Sequence, residues 1–268
     1  MEISKEVSFF RVIIPNNNSE PWIEQGLNSI FYQTCKNWKL VIVDDASEDN
    51  SVSIIKKYVD QYPITLIELK GKKGFPGDVR NIGIQYATDS EYTLFMDSDD
   101  WFADNEVFAK IKAKADETHA DVIRMPFLIY QGGSSMLPIP LPDDDVKAFA
   151  TSPFIAPWTK ATKTSKMVEF PPETMFEDIV HQLRLADKID TVTHIDDYCY
   201  VWNRQPSNKG SVTMDIDSTE WKRRKYHASL FRLYAHCIYT KYNRDFVQAM
   251  SDSWANFARE TIQKEKLL

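Results

Sequence analysis

The sequence predicts an α/β domain: a mostly parallel, Rossmann-like central sheet flanked by helices on both faces. Three observations carry this reading. Short β-branched runs alternate with amphipathic helical stretches from Phe9 to Met96. The runs are apolar throughout, as in strands covered on both sides. Two of them end in acids, Asp44-Asp45 and Asp97-Ser98-Asp99-Asp100. In parallel sheets ligands bind outside the carboxyl ends of the strands, so both acidic clusters fall at the edge where a site forms.

The elements follow in order. "FFRVIIP", Phe9 to Pro15, is a buried strand closed by proline. Pro21 suits a first helical turn, and Ile23, Leu27, Ile30 and Phe31 lie on one helix face. "KLVIVDD" is a second strand, "DNSVSIIKKYV" a capped helix, and "ITLIEL" a third strand. "GDVRNIGIQYA" is the next helix and "YTLFM" the fourth strand. After Phe127 the pattern loosens. "YQGGSSMLPIPLPDDD" reads as a turn-rich surface excursion. "FPPETMFEDIVHQLRLADK" is a loop running into a helix, "TVTHIDDYCYVWNR" a strand, and "QPSNKGSVT" a flexible loop. Two helices are expected from Thr219 onward.

With 268 residues, 43% hydrophobic and 26% charged, the chain can bury an ordinary globular core. A net charge of −7 argues against a chain-wide nucleic-acid footprint. The charge is uneven, however. From Thr219 onward ten Lys and Arg face five Asp and Glu, so the tail carries +5 and the remainder −12. "EWKRRKY" is its densest stretch. Such a helix is ordinarily a solvated face; the functional alternative is contact with an anionic partner. Cys35, Cys199 and Cys237 have no metal-type spacing, which suggests reduced thiols. There is no signal-peptide pattern and no apolar stretch of membrane-spanning length. The expected location is cytoplasmic, or the host cytoplasm for a phage-encoded chain.

Crowding Asp97, Asp99 and Asp100 at the end of a buried strand sets like charges against one another. A hard divalent cation resolves this. Mg²⁺ takes one or two carboxylates plus phosphate oxygens and water, and Mn²⁺ accepts the same ligands. The bland alternative is a solvated loop capping the next helix. A calcium loop fails, because Trp101, Phe102 and Phe108 occupy its ligand and glycine places. Neither G-x-x-x-x-G-K-[ST] nor G-x-G-x-x-G occurs.

The order "VIIPNNNSEPWIEQGLNSIFYQTCKNWKLVIVDDASEDNS", "GDVRNIGI", "FMDSDD" and "FEDI" resembles the inverting family 2 glycosyltransferases of the GT-A fold. The resemblance covers about Val7 to Leu185. It implies a GT-A domain over 1–215, with a nucleotide-binding half at about 1–102 and an acceptor half at about 103–215. Residues 216–268 are then a C-terminal helical extension. It implies a sugar nucleotide, UDP-linked in the common case, as donor, and Mn²⁺ or Mg²⁺ as cofactor. Asp44 would read the base, with Asp45 beside it, and Pro15, Asn17 and their neighbours would line the nucleotide. Arg80 would approach base and phosphates and organise the acidic edge. Asp97 would contact ribose and metal, Asp99 would be the principal metal ligand, and Ser98 would lie at the donor between them. Asp100 would support from behind. Two departures from the family pattern stand out: Asn17-Asn18 replaces Tyr-Asn after the proline, and Val79 replaces the alanine of A-R-N.

Asp178 matches the family's catalytic base, with Glu177 supporting it; acids in a first helical turn also arise simply from the helix dipole. Trp158, in "PWTKATKTS", would wall the acceptor site, or else be core. Arg204 and Lys209, in "WNRQPSNKGSVT", could reach the diphosphate from a mobile loop. His181 shares a helix face with Asp178, but a lone histidine there is ordinarily structural. A glycan is the usual acceptor of the resemblance. The basic tail suggests an alternative, a hydroxylated DNA base or base-linked sugar modified by a phage-type enzyme. A non-catalytic sugar-nucleotide binder is the competing reading of another class. A nucleotidyltransferase would carry a Gly-rich early loop, which "PNNNSEP" is not.

Overall fold

The structure, a computed structural model, describes residues 8–205, 240–242 and 245. β1 (Ser8–Asn16), β2 (Trp38–Asp44), β3 (Ile64–Glu68) and β4 (Ser90–Phe95) alternate with α1 (Ile23–Phe31), α2 (Ser51–Lys56) and α3 (Pro76–Gln85). There follow β5 (Trp101–Phe102), α4 (Val107–Thr118), β6 (Val122–Arg124), β7 (Phe127–Tyr130), β8 (Met136–Ile139) and α5 (Val146–Thr151). β9 (Lys160–Lys163), α6 (Glu177–Ala186), β10 (Val192–His194) and β11 (Tyr200–Asn203) come last among the labelled elements.

Seven strands form one sheet in the order β10-β6-β9-β4-β1-β2-β3, and four form a second, β5-β11-β7-β8. Every neighbouring pair in the large sheet is parallel except the two that β9 makes. The sheet is therefore the mostly parallel α/β layer the sequence predicts. Alternation of side chains explains its two covered faces. Val12, Ile14, Leu40, Ile42, Leu94 and Met96 point into one core with Leu27 of α1 and Phe108 of α4. Ile13, Val41, Val43 and Phe95 point the other way, toward Val79 of α3. Helix α3 sits so close that a Cβ at Gly83 would stand 2.4 Å from Ile13 Cγ2.

β1 separates β2 from β4, with Asn16 in register with Asp44 and Met96 N–H donating to the Ile13 carbonyl. The two acid-tipped strands thus end on one edge, two strand spacings or about 10 Å apart. β9, about sixty-five residues after β4 in the chain, inserts between β4 and β6 and ties the later strands into the same sheet.

Three sequence expectations change. The stretch 191–204 is two strands rather than one: β10 joins β6 and β11 joins β7. The exposed acids Asp196 and Asp197 fall in the bend between them. The turn-rich stretch 130–145 contains a strand, β8, which forms a hairpin with β7 around Gly132 and Gly133, both at positive φ. The second helix is only Ser51–Lys56, shorter than the periodicity suggested. The 205–213 loop beyond Gln205 and the body of the helical extension lie outside the described residues.

Candidate active site

At the ends of β1 and β2 a polar knot forms. The Asp44 carboxylate is buried and accepts from Asn16 Nδ2 at 2.7 Å, Ser47 Oγ at 2.5 Å and Ser47 N–H at 3.0 Å. Asp45 accepts the backbone N–H groups of Lys73 at 2.5 Å and Gly74 at 2.8 Å, so it holds the loop after β3. Asn17 donates to the Asp45 carbonyl at 2.8 Å and accepts from Lys72 Nζ at 2.9 Å. Pro15 is half-buried at the end of β1. Each Asp oxygen carries two lone pairs, so both carboxylates keep acceptor capacity beyond these bonds.

The second cluster is the turn between β4 and β5. Asp97, Ser98 and Asp99 are half-buried, whereas Asp100 is 1% exposed. Tyr200 Oη donates to Asp100 Oδ2 at 2.9 Å and accepts the Asp97 N–H at 3.0 Å. Asn203 N–H donates to Asp100 Oδ1 at 2.8 Å, and Asn203 Nδ2 to the Asp99 carbonyl at 3.1 Å. Asp100 is thus a clamp from the acidic turn to β11. Burial raises its pKa well above the carboxylate range, and the charges of Asp99 and Asp97 add to the rise. A cation bound at Asp97 and Asp99 would relieve that excess of negative charge.

The third part is the GDVRN segment of α3, which docks the chain from Phe170 to Asp178. Asn81 exchanges two hydrogen bonds with the Phe170 backbone, at 3.0 and 2.8 Å. Asp78 accepts the Glu173 N–H at 3.1 Å. Arg80 is 5% exposed and bridges two acids, Asp97 at 2.6 Å and Glu177 at 2.8 Å, with Phe170 stacked at 5.6 Å. Burial alone would lower the Arg80 pKa, but Asp97 and Glu177 outweigh it and the net shift is upward. Arg80 therefore joins the acidic turn to the start of α6.

Gly77 permits this docking. A Cβ there would lie 2.7 Å from Glu177 Cγ and 3.0 Å from Phe170 Cβ. Gly77→Ala should destabilise the fold by about 1–3 kcal/mol, as overpacking does, and push Glu177 off Arg80. Thermal unfolding checks the first effect and turnover the second.

Glu177 and Asp178 begin α6, where the helix N-terminus favours negative charge. Glu177 is buried, and burial raises its pKa to about 7 against the pull of Arg80, with Asp178 adding to the rise. Asp178 is half-buried and accepts the Ile179 N–H at 3.0 Å. Burial raises its pKa too, with Arg80 and then Lys160 opposing the shift. Two carboxyls with raised pKa values, facing a fixed cation, are the arrangement expected of a proton acceptor. Backbone strain gathers in the same regions. Asn18 (φ 51°), Ala46 (φ 53°), Glu173 (φ 49°) and Phe176 (φ 59°) are left-handed, a conformation kept only where surroundings over-determine it.

Trp158 is 4% exposed, stacks on Tyr200 at 4.6 Å and meets Phe127 edge-on. Its ring is packed in the core rather than presented as an exposed wall. Arg204 follows Asn203 at the end of β11, with its guanidinium over Trp202 at 4.7 Å. Lys209, Cys237 and the basic stretch lie outside the described residues; Cys35 and Cys199 are free thiols. His181 is buried flat against Phe170 at 3.9 Å, and burial lowers its pKa, as for a structural imidazole. Sequence reasoning missed Tyr200, Asn203 and Phe170, and gave no role to Lys160 of "PWTKATKTS".

Among the described residues no group of three or more His, Cys, Asp and Glu side chains is placed to hold a metal ion by itself. Asp97 and Asp99 supply two half-buried carboxylates, the number magnesium takes where phosphate oxygens and water complete its shell. Among the described residues no helix is long and apolar enough to cross a membrane.

Residues 11–140 match the model described as "Glycosyl transferase family 2". The poly(ribitol-phosphate) beta-N-acetylglucosaminyltransferase TarS of Staphylococcus aureus is 36% identical over 116 residues, 42% of this chain and 20% of that protein. The chain thus matches about a fifth of that relative's length. The crystal structure of S. aureus TarS 1–349 in complex with UDP superposes with a TM-score of 0.68 and 23% identity, covering 87% of this chain and 66% of that one. The mannosyltransferase PcManGT of Pyrobaculum calidifontis, in complex with GDP-Man and Mn²⁺, gives 0.63 and 18%, covering 92% and 70%. These structures share the GT-A fold with this chain.

Proposed function

Residues 11–140 belong to glycosyl transferase family 2, and from that premise we propose that the chain is an inverting, metal-assisted glycosyltransferase. It moves a hexosyl or pentosyl unit from a UDP-sugar to a hydroxyl on a glycan. The observation that carries the reading is the Arg80 bridge, which sets the acidic turn and the Glu177–Asp178 pair on either side of one guanidinium.

The chemistry has two demands, and the chain's residues divide between them. The donor must be held with its diphosphate at the sheet edge. Asp44 and Asp45, with Pro15, Asn16 and Asn17, form the base end; Asp97, Ser98 and Asp99 form the diphosphate end, with Arg204, just past β11, as a further phosphate contact. Mn²⁺ or Mg²⁺ at Asp97 and Asp99 would offset the charge that develops on the leaving phosphate. The acceptor hydroxyl must lose a proton as it attacks the sugar carbon from the face opposite the phosphate. Asp178 takes that proton. Glu177 stays against Arg80 and holds the start of α6 in place. Inversion follows from this single displacement, with no covalent sugar on the protein.

The UDP preference is supported by the 36% identity to TarS over 116 residues, together with the TarS structure in complex with UDP. The basic tail that prompted a nucleic-acid-borne acceptor lies outside the described residues, and the acceptor proposed here is a glycan. The test is a thermal-shift and UDP-release panel of nucleotide-sugars, each with Mn²⁺, with Mg²⁺ and with chelator. A UDP-sugar should stabilise the chain by a few degrees with metal and much less with chelator. Stabilisation that ignores the metal would remove Asp97 and Asp99 from the ligand role. Binding with no UDP release, with or without glycan acceptors, would leave a sugar-nucleotide binder.

A further inference from the structure

A buried lysine bonds to α6 one helical turn beyond the proposed base. Lys160 opens β9 and is 1% exposed. Its ammonium donates to the carbonyls of Ile155 and Ala156, both at 3.0 Å, and to Gln182 Oε1 at 3.2 Å. The amide of Gln182 is oriented by its own Nε2, which donates to the Phe149 carbonyl at 2.8 Å, so it is the oxygen that faces Lys160. Three acceptors therefore converge on one nitrogen. A neutral amine has only two N–H groups; the ammonium has three and satisfies them all.

Such a charge is costly to bury without reason. A neutral glutamine or methionine would fill a core position at less cost. None of these three partners is a carboxylate, yet the charge of Lys160 acts on Asp178, four residues before Gln182 on α6. Residues four apart on a helix share a face. Lys160 therefore grips the face of α6 that carries Asp178, and at the same time fixes the 155–156 backbone alongside.

We propose that Lys160 is a positioning residue for the transfer reaction: its ammonium ties the face of α6 that carries Asp178 to the 155–156 backbone and places a cation behind that carboxylate. This rests on the reading of Asp178 as the base. The charged groups around Asp178 are Arg80 from α3, Glu177 beside it on α6 and Lys160 from β9. Burial and then Arg124 of β6 push the Lys160 pKa well down, with Asp178 and Asp143 opposing, so its charge depends on the three acceptors that hold its protons. Burial raises the Asp178 pKa and the two cations oppose the rise, so removing Lys160 moves that pKa further up.

The test compares the unaltered full chain with Lys160→Met, Lys160→Arg and Gln182→Glu in UDP release from the UDP-sugar that the donor panel selects. The pH profile of kcat/KM is followed from about pH 5 to pH 9. In Lys160→Met the acid limb should move up by about one unit, with rates below it falling about tenfold, while Lys160→Arg stays close to the unaltered chain. The thermal shift given by UDP should be unchanged in both. Gln182→Glu, which keeps size but neutralises Lys160 from α6, should move the limb the same way and serves if Lys160→Met does not fold. An unmoved limb in the folded variants overturns the proposal, even if the rate falls. Asp178→Asn in the same assay separates the two readings. Turnover retained there overturns the base assignment and this proposal with it. Turnover lost there, with an unmoved limb in Lys160→Met, overturns the role of Lys160 alone.

Discussion

Asp178→Asn should lower transfer roughly 10²- to 10⁴-fold, the usual worth of a positioned general base. The substitution keeps the shape of the side chain and the acceptor for the Ile179 N–H, so the helix start survives. What disappears is the group that can take a proton. The donor contacts proposed at Asp44, Asp97 and Asp99 are untouched, so the thermal shift given by UDP and Mn²⁺ should match that of the unaltered chain. Retained turnover would move the base elsewhere, with Glu177 next in line. The pH dependence follows from the same surroundings. Burial raises the Glu177 carboxyl to about 7 and also raises Asp178, so both gain protons at a higher pH than free carboxylates do. The two carboxyls titrate as a unit. Transfer should therefore decline at a higher pH than the region near ~4 where free carboxylates titrate.

Arg80→Met should be the most damaging single change to the fold at the site. It strips the common cation from two acids, one of them buried Glu177. Breaking a buried pair from one side costs about 3–5 kcal/mol, because a charge is left without its partner. For a chain of this size that corresponds to a fall in Tm of roughly 10 °C, measurable by thermal unfolding. Turnover should fall in the surviving folded fraction as well, since the start of α6 loses its tie to the acidic turn. Arg80→Lys should recover only part of this, because one ammonium cannot span Asp97 and Glu177 as the planar guanidinium does. Equal stability of Arg80→Met and the unaltered chain would show that Glu177 is protonated and the bridge contributes little.

Much of the donor half was legible in the sequence. β1 to β4 are continuous apolar runs with punctuating turns, so period and breakers identify them locally. The convergence of the two acidic clusters followed from strand direction alone. The acceptor half was less legible, because its strands are short and its register depends on partners far along the chain. β9 is four residues that make sense only between β4 and β6. Tyr200 and Asn203 find Asp100 from about a hundred positions away, and nothing in "YCYVWNR" announces it. Trp158 shows the converse failure. An aromatic residue in a motif-like segment suggested a binding wall, but its neighbours Phe127, Tyr200 and Trp202 enclose it. The GDVRN motif was recognised, yet its geometry reaches further than the sequence reading. Gly77, Asp78, Arg80 and Asn81 are all turned to the stretch that carries Glu177 and Asp178.

That last arrangement limits how such proteins can be recombined. The 76–85 helix and the 170–178 stretch are written far apart but fit as lock and key, through a missing Cβ, a backbone-reading amide and a shared guanidinium. A hybrid that takes one piece from this chain and the other from a distant relative inherits a mismatched joint. Crossovers that carry both pieces together keep the joint whole, and shuffling experiments aimed at new acceptors have most freedom in the segments between them.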